Sequence, residues 1–391
     1  MTAEPLQVRR LDLRVVGAVA ALAALGIVLQ WSVREAAAEG SLEARGGFAA
    51  KQCQWYAAGA LAAALVLLVP YRWLLDRAYL LYGAGLVLLL AVFFVGSSIK
   101  GARRWIDLGP AMVQPSELVK VGFLLALARY IRFRDDQRTL KGLALPFLLA
   151  AVPMALVLRQ PDLGTALIFV PVLFAVLFAA GARPRHLGLV VAMGAAFAPV
   201  VYFVALRDYQ RERVRTFLVL HSGAPQEGTG EEREYRALVR QEGWQAEQSR
   251  LAVASGGLLG LGLTRGPQNR AGAVPEHQTD FIFTVLAEEF GFAGVALLAA
   301  LLGMLFLALG GIALRCRDPA GKLLVTGVIV LLAAQSFVNL AMTVGLGPIT
   351  GVPLPFLSYG GSTTVTSFVA VALALNVGAR PGFDFGPTDF R

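Results

Sequence analysis

The chain has 391 residues, 57% hydrophobic and only 16% charged, with a mean hydropathy of +0.64. Soluble domains carry about 25% charged residues, so an ordinary water-soluble globule is excluded. The net charge of +9 does not point to nucleic acid, because no basic block is interleaved with aromatics. Arg and Lys sit instead in short loops between apolar runs, the pattern of a membrane topology signal. The two cysteines, Cys53 and Cys316, fall in segments expected on opposite sides of a bilayer, so no disulfide is expected.

Apolar runs long enough to cross about 30 Å of hydrocarbon recur along the chain. They predict spans near 13–33, 54–69, 78–95, 116–131, 142–158, 165–180, 187–206, 281–314, 323–343 and 363–377. The expected architecture is an all-α polytopic membrane protein of about ten helices, one integral membrane domain over 1–391. Arg and Lys total 17 in the loops 1–14, 70–77, 129–141, 181–187, 315–322 and beyond 378, against 8 in the alternate short loops. The positive-inside rule then places both termini in the cytoplasm. The first run resembles a secretion signal, but it exceeds a signal h-region in length and is interrupted by Arg34 and Glu35, so cleavage is not expected.

One long excursion, 207–280, breaks the rhythm with 10 basic and 10 acidic residues. Topology makes it a large extracytoplasmic loop. Residues 223–230 read as a flexible stretch, and 231–250 as a polar surface helix carrying Trp244 as an interface anchor.

Unexpected polar residues gather at the outer ends of the spans. Arg103, Arg104 and Trp105 lead to Gln114-Pro115-Ser116-Glu117 at the start of span four. Adjacent arginines there oppose the topology rule, so they are either headgroup anchors or a clamp for an anionic ligand, since guanidinium donors match phosphate oxygens in pairs. Glu117 and Lys120 lie three apart on one helix face. Either alone would cost about 2.5 to 3.5 kcal/mol at a bilayer centre, so they form a mutual pair or face a watery cavity. Asp162, in Gln160-Pro161-Asp162-Leu163-Gly164-Thr165, is both a helix-cap candidate and a ligand candidate. Segment 345–362 is rich in glycine and proline and uncharged; it cannot be one helix or face lipid, so it is expected to be buried or to line a cavity. Its Ser358, Tyr359 and Ser362 hydroxyls suit a polar ligand.

Asp280 marks the switch from soluble loop to apolar run. Partial desolvation by Phe281 and Phe283 would raise its pKa, as proton abstraction from a sugar hydroxyl requires; helix capping is the competing reading. His277 has no second His or Cys at ligand spacing and reads as a loop residue. The run 281–314 would extend about 51 Å as one straight helix at 1.5 Å per residue, so it must protrude, tilt or break, with Gly291 and Gly294 as break candidates.

Taken together, Arg103-Arg104-Trp105 with Gln114-Pro115-Ser116-Glu117, Gln160-Pro161-Asp162-Leu163-Gly164, Pro275-Glu276 with Thr279-Asp280-Phe281, and Pro353-Leu354-Pro355-Phe356 with Ser358-Tyr359-Gly360-Gly361 resemble the SEDS family of RodA, FtsW and SpoVE. Segment 248–260 looks more like the RodA branch. The resemblance implies a ten-span peptidoglycan glycosyltransferase of the bacterial inner membrane, polymerising lipid II during elongation, with its active site on the extracytoplasmic side. It implies Asp280 as catalytic base, with Arg103, Arg104, Trp105, Glu117, Lys120, Asp162 and Ser358 as substrate-binding candidates. A divalent cation, Mg or Mn, is a candidate cofactor; no organic cofactor is expected. Lipid II, the bilayer and a class B penicillin-binding protein transpeptidase are the implied partners. A lipid-linked precursor flippase and a division-specific FtsW-type polymerase are the alternatives. One departure stands out: Gln278 separates His277 from Thr279, where the family commonly reads His-Thr-Asp, so no role is carried over to the histidine.

Overall fold

The computed structural model describes residues 6–36, 47–99, 102–109, 111–132, 134, 136–205, 208–221 and 243–380. All ten apolar runs are helices: α1 (Leu13–Ala36), α2 (Phe48–Leu68), α4 (Ala78–Val95), α5 (Pro115–Ile131), α6 (Leu140–Arg159), α7 (Leu163–Ala179), α8 (Pro184–Val200), α12 (Ile282–Arg315), α13 (Pro319–Thr343) and α14 (Gly361–Ala379). Short helices α3 (Tyr71–Asp76), α9 (Asp208–His221), α10 (Trp244–Ser255) and α11 (Pro267–Arg270) lie between them.

Seven of these helices are long and apolar enough to cross a membrane by length and composition. Large apolar side chains also face outward, among them Leu80 (70% exposed), Phe94 (84%), Leu307 (80%) and Phe337 (72%), a surface that only a lipid environment tolerates on this scale. The protein is a multi-pass integral membrane protein. α14 packs along α2, α4 along α5, α7 along α13, and α1 along α12. α5, α13 and α14 form the interior, while α8 is almost wholly peripheral.

The chain is not entirely helical where a plain loop was expected. β1 (Ser97–Ile99), β2 (Ala102–Asp107) and β3 (Met112–Val113) form a small antiparallel sheet in the order β1-β2-β3, with Ser97 opposite Trp105 and Ile106 opposite Val113. The run from Ala102 to Asp107 is too short and too charged to register as an apolar strand; pairing to its neighbours is what makes it one. In the long excursion, the polar helix expected over 231–250 begins at Trp244 and runs to Ser255; residues 222–242, including the stretch 223–230, lie outside the described residues.

α12 breaks at Gly291 (φ 61°, ψ −156°), backbone that only glycine adopts readily. A break inside a membrane protein frees amides and carbonyls that must find partners. Here a glycine-rich turn, 256–262, supplies them. The amides of Leu261 and Gly262 donate to the carbonyls of Glu288 and Glu289, both at 3.0 Å, and those of Phe292 and Ala293 donate to Gly257 and Leu258 at 2.9 and 3.0 Å. The two backbones meet closely enough that a Cβ at Gly256 would lie 1.8 Å from the Ala287 carbonyl oxygen, and one at Gly260 2.1 Å from that of Glu289.

At the opposite end of α12 a second polar knot fixes the bundle. Asp318 caps α13 through the Ala320 amide, accepts a 2.7 Å bond from the Tyr71 hydroxyl, and faces Arg72 and Arg132 at 3.7 Å each. Burial, reinforced by the Asp318 carboxylate, pushes the Tyr71 phenol well above its usual pKa, which keeps it a donor.

Gly256→Ala is expected to destabilise the protein by several kcal/mol, because the obstructing atom is backbone and cannot move aside cheaply; overpacking in cores costs about 1–3 kcal/mol even where side chains yield. Gly303→Ala, with open space around it, should leave the unfolding midpoint in detergent unchanged or slightly raised. Equal midpoints for the two variants would contradict the packing described.

Candidate active site

Glu117 and Lys120 pair with each other on α5; Asp280, Ser358 and the Asp162 turn lie against one structure, the irregular segment between α13 and α14. Its backbone is held by polar side chains projecting from helices. The Gln30 side-chain amide donates to the carbonyl of Gln278 at 2.8 Å and of Leu357 at 3.4 Å; the Tyr56 hydroxyl donates to the Phe356 carbonyl; Gln52 donates to the Ser358 carbonyl at 3.2 Å. The Tyr359 amide joins the Gln278 carbonyl at 2.9 Å. The segment is therefore buried and satisfied, as a helix-breaking stretch inside a membrane protein must be.

Asp280 stands beside it. Asn339, fully buried on α13, donates from its one amide nitrogen to the carbonyls of Asp280 (2.7 Å) and Val352 (2.8 Å). Asn339 thus fixes the aspartate's backbone to the irregular segment. A Cβ at Gly351 would fall 3.2 Å from Asp280 Oδ2, so the absence of a side chain there leaves room at the carboxylate. The N-cap position of α12 falls to Phe281 rather than Asp280. Asp280 is half-buried.

Asp162 is the cap that its position promised. Its Oδ1 accepts the Thr165 amide at 3.2 Å at the start of α7, while Oδ2 accepts the Gln114 side-chain amide at 3.1 Å. Arg104 donates from Nε to the Gln160 carbonyl at 3.0 Å and from Nη2 to that of Pro161. It therefore holds the Asp162 turn against β2. Arg103, the next residue on the strand, alternates to the other side and is exposed; Trp105 is half-buried. Gln114 closes the circle, its amide donating to Ser362 Oγ at 2.9 Å while that hydroxyl donates to the Met112 carbonyl. Ser358 lies buried with its hydroxyl accepting the Leu354 amide at 2.8 Å, closing the Leu354–Ser358 turn.

Glu117 and Lys120 sit one turn into α5, each 2% exposed, with Nζ 2.7 Å from Oε1. Pro115 opens the helix at N1 and Glu117 lies in its first turn, where the helix dipole favours an acid. The second carboxylate oxygen, Oε2, and the neighbouring Ser116 hydroxyl are buried without a hydrogen-bond partner among the described residues. Orphaned acceptors and donors next to a buried ion pair are unusual; they suit a polar guest.

Sequence reasoning missed the supports. Gln30, Gln52 and Asn339 are single amides inside apolar helices, and that oddity was the available signal. It also passed over Glu288-Glu289. Glu288 accepts the amides of Gln268 and Asn269 at 2.8 and 3.1 Å, capping α11, and Glu289 accepts from Ser32 Oγ at 2.6 Å and Asn269 Nδ2 at 2.8 Å. The pair fastens α1 and α11 to α12 immediately before Gly291. His277 lies buried with Nδ1 2.8 Å from the Val274 carbonyl. Among the described residues no three His, Cys, Asp or Glu side chains gather to hold a metal ion.

The profile of the cell cycle protein family FtsW/RodA/SpoVE matches residues 13–380. The chain belongs to this family. It is 36% identical over 324 residues to the peptidoglycan glycosyltransferase MrdB of Escherichia coli K12, covering 82% of this chain and 84% of that one. It is 35% identical over 384 residues to a probable peptidoglycan glycosyltransferase FtsW of Geobacter metallireducens, covering 96% of each. A chain from a solved peptidoglycan synthase complex that coordinates polymerization and crosslinking superposes with a TM-score of 0.76 at 36% identity, covering 93% of this chain and 96% of that chain.

Removing one member of a buried ion pair leaves the other charge uncompensated, a loss of about 3–5 kcal/mol, whereas replacing both with apolar residues is often neutral. Lys120→Met is thus expected to lower the unfolding midpoint sharply. Glu117→Leu combined with Lys120→Met should restore the midpoint but not polymer formation. Full activity in the double variant would reduce the pair to a structural one.

Proposed function

We propose that this protein is a peptidoglycan glycosyltransferase that polymerises lipid II into glycan strands, serving cell elongation, with Asp280 as general base. The observation carrying the reading is the placement of Asp280: a half-buried residue, fixed through its own backbone by Asn339, one position before the N-cap of α12, and set beside a glycine in the irregular segment.

In the proposed reaction the 4-hydroxyl of the acceptor sugar loses its proton to the Asp280 carboxylate. Its oxygen bonds to the anomeric carbon of the donor, whose bond to the undecaprenyl pyrophosphate breaks on the opposite face, inverting that centre. The pyrophosphate leaves with the bonding electron pair. Arg103, exposed on β2, meets its oxygens as a planar two-pronged donor. Lys120 adds positive charge in a low-dielectric setting, where fixed charges stabilise a transition state most. Arg104 and Asp162 keep the turn after α6 in place, Ser358 keeps the irregular segment folded, and Trp105 lies at the membrane edge of the sheet. No step is assigned to a cation.

The tails of lipid II explain why the site is built at one end of a helical bundle. The substrate enters sideways from the outer leaflet, and the polar residues gather at the Asp280 end rather than along a path through the midplane, which favours an enzyme over a flippase. Both termini are assigned to the cytoplasm on loop charge, and the site to the extracytoplasmic side of the inner membrane. The elongation role rests on the RodA-like segment 248–260, which overlaps the glycine-rich turn 256–262 that closes the break in α12. A class B penicillin-binding protein transpeptidase is the proposed partner, in line with the crosslinking activity of the synthase complex to which the chain is similar.

General-base catalysis contributes about 100- to 10,000-fold, so Asp280→Asn should reduce polymer formed from purified lipid II by that range with an unchanged unfolding midpoint. Wild-type turnover by this variant would refute the assignment. Transport of labelled lipid in sealed vesicles without any polymer would favour the flippase.

A further inference from the structure

At the end of α12 remote from Asp280, a cavity of about 680 Å³ opens between the turn Val8–Arg10, the start of α1 and the ends of α12 and α14. Among the described residues six arginines line it, Arg9, Arg10, Arg14, Arg315, Arg317 and Arg380, against one carboxylate, Asp12. That carboxylate is already engaged: Oδ2 pairs with Arg315 Nη2 at 3.1 Å and Oδ1 accepts the Arg14 amide at 3.1 Å. Arg380 is buried and anchored, donating to the Leu67 carbonyl at 2.8 Å and to Asn376. Arg9, Arg10 and Arg14 are exposed, and their guanidinium groups make no hydrogen bond or ion pair among the described residues.

Converging like charges repel, and the three exposed guanidinium groups of Arg9, Arg10 and Arg14 face one carboxylate among the described residues, which is already occupied. The forked donors fit phosphate oxygens. The surroundings identify the source of that phosphate. Leu11 and Leu13 line the same cavity, and Val8 (65% exposed), Leu13 (77%) and Leu314 (81%) present apolar surface beside the arginines. A soluble phosphate ester would leave that surface uncovered. A phospholipid covers both parts, its headgroup among the arginines and its acyl chains along the α1 and α12 leucines; basic pockets between membrane helices bind anionic headgroups in this way.

We propose that this cavity is a binding site for an anionic phospholipid of the leaflet at the amino-terminal end of α1. The site joins the chain's first turn to the ends of α12 and α14, so an occupied site clamps those three elements together. It is independent of the polymerase reading.

The test is native mass spectrometry of the full chain in detergent, with phosphatidylglycerol or phosphatidylcholine added at equal mole fraction. Phosphatidylglycerol should be retained about tenfold more than phosphatidylcholine, with each basic residue near the headgroup adding to the preference. The triple variant Arg9→Gln, Arg10→Gln, Arg14→Gln should fall to the phosphatidylcholine level, while the matching Arg→Lys triple keeps most of the preference and shows that the segment still folds. Asp280-dependent polymer formation in detergent should be the same in all three proteins. Equal retention of the two lipids by the parent, or a glutamine triple that still prefers phosphatidylglycerol, overturns the proposal. So does glycerol 3-phosphate raising the unfolding midpoint as much as phosphatidylglycerol, which would make the cavity a site for soluble anions.

Discussion

Within hydrocarbon an amide or carbonyl without a partner costs several kcal/mol, and the Asp280 end of this protein is built where the chain nevertheless leaves the helix. Two such departures meet at the Asp280 end. One is the break at Gly291, closed by backbone from the glycine-rich turn. The other is the irregular stretch before α14, closed by Gln30, Gln52, Tyr56 and Asn339. Each non-helical bend exposes polar atoms and forces a specific partner into place. The outcome is a rigid polar floor inside an apolar bundle, the setting in which a carboxylate and fixed cations influence a reacting centre most strongly.

The two departures are linked rather than merely adjacent. Glu288 and Glu289 hold α11 and α1 to the last turn before Gly291, and the chain then passes from α11 to the Asp280 turn. From Asp280, Asn339 reaches across to Val352, and Gln278 to Tyr359. The glycine turn, α1 and the irregular segment are thus tied to the Asp280 backbone by hydrogen bonds and short stretches of chain. Arg104, Gln114 and Ser362 carry the chain of contacts on to Asp162 and the small sheet.

The arginine-lined cavity at the far end of α12 obeys the opposite economy. There the chain leaves charges exposed at a membrane boundary instead of pairing them inside, and the exposed leucines beside them mark where lipid lies. On the two proposals made above, one helix ends in a carboxylate site for a sugar hydroxyl and in a cationic site for a phosphate.

The amino-acid sequence by itself settled that the chain is a helical membrane protein, where its apolar runs lie, and that charged or helix-breaking residues mark a site at one end. These are local properties: the length of an apolar run and the cost of burying a charge are readable residue by residue. It also limited 281–314 to breaking, tilting or protruding, because a helix of that length exceeds the bilayer. Only the tertiary structure decided between the alternatives left open. It made Asp162 a cap and gave the N-cap position of α12 to Phe281 rather than Asp280. It turned Arg104 inward onto two carbonyls and left Arg103 outward, a difference set by strand alternation in a sheet whose pairing no apolar pattern announces. It gave Gln30, Gln52 and Asn339 their purpose, since a lone amide in an apolar helix has meaning only once the backbone it satisfies, some 13 to 327 residues away, is known.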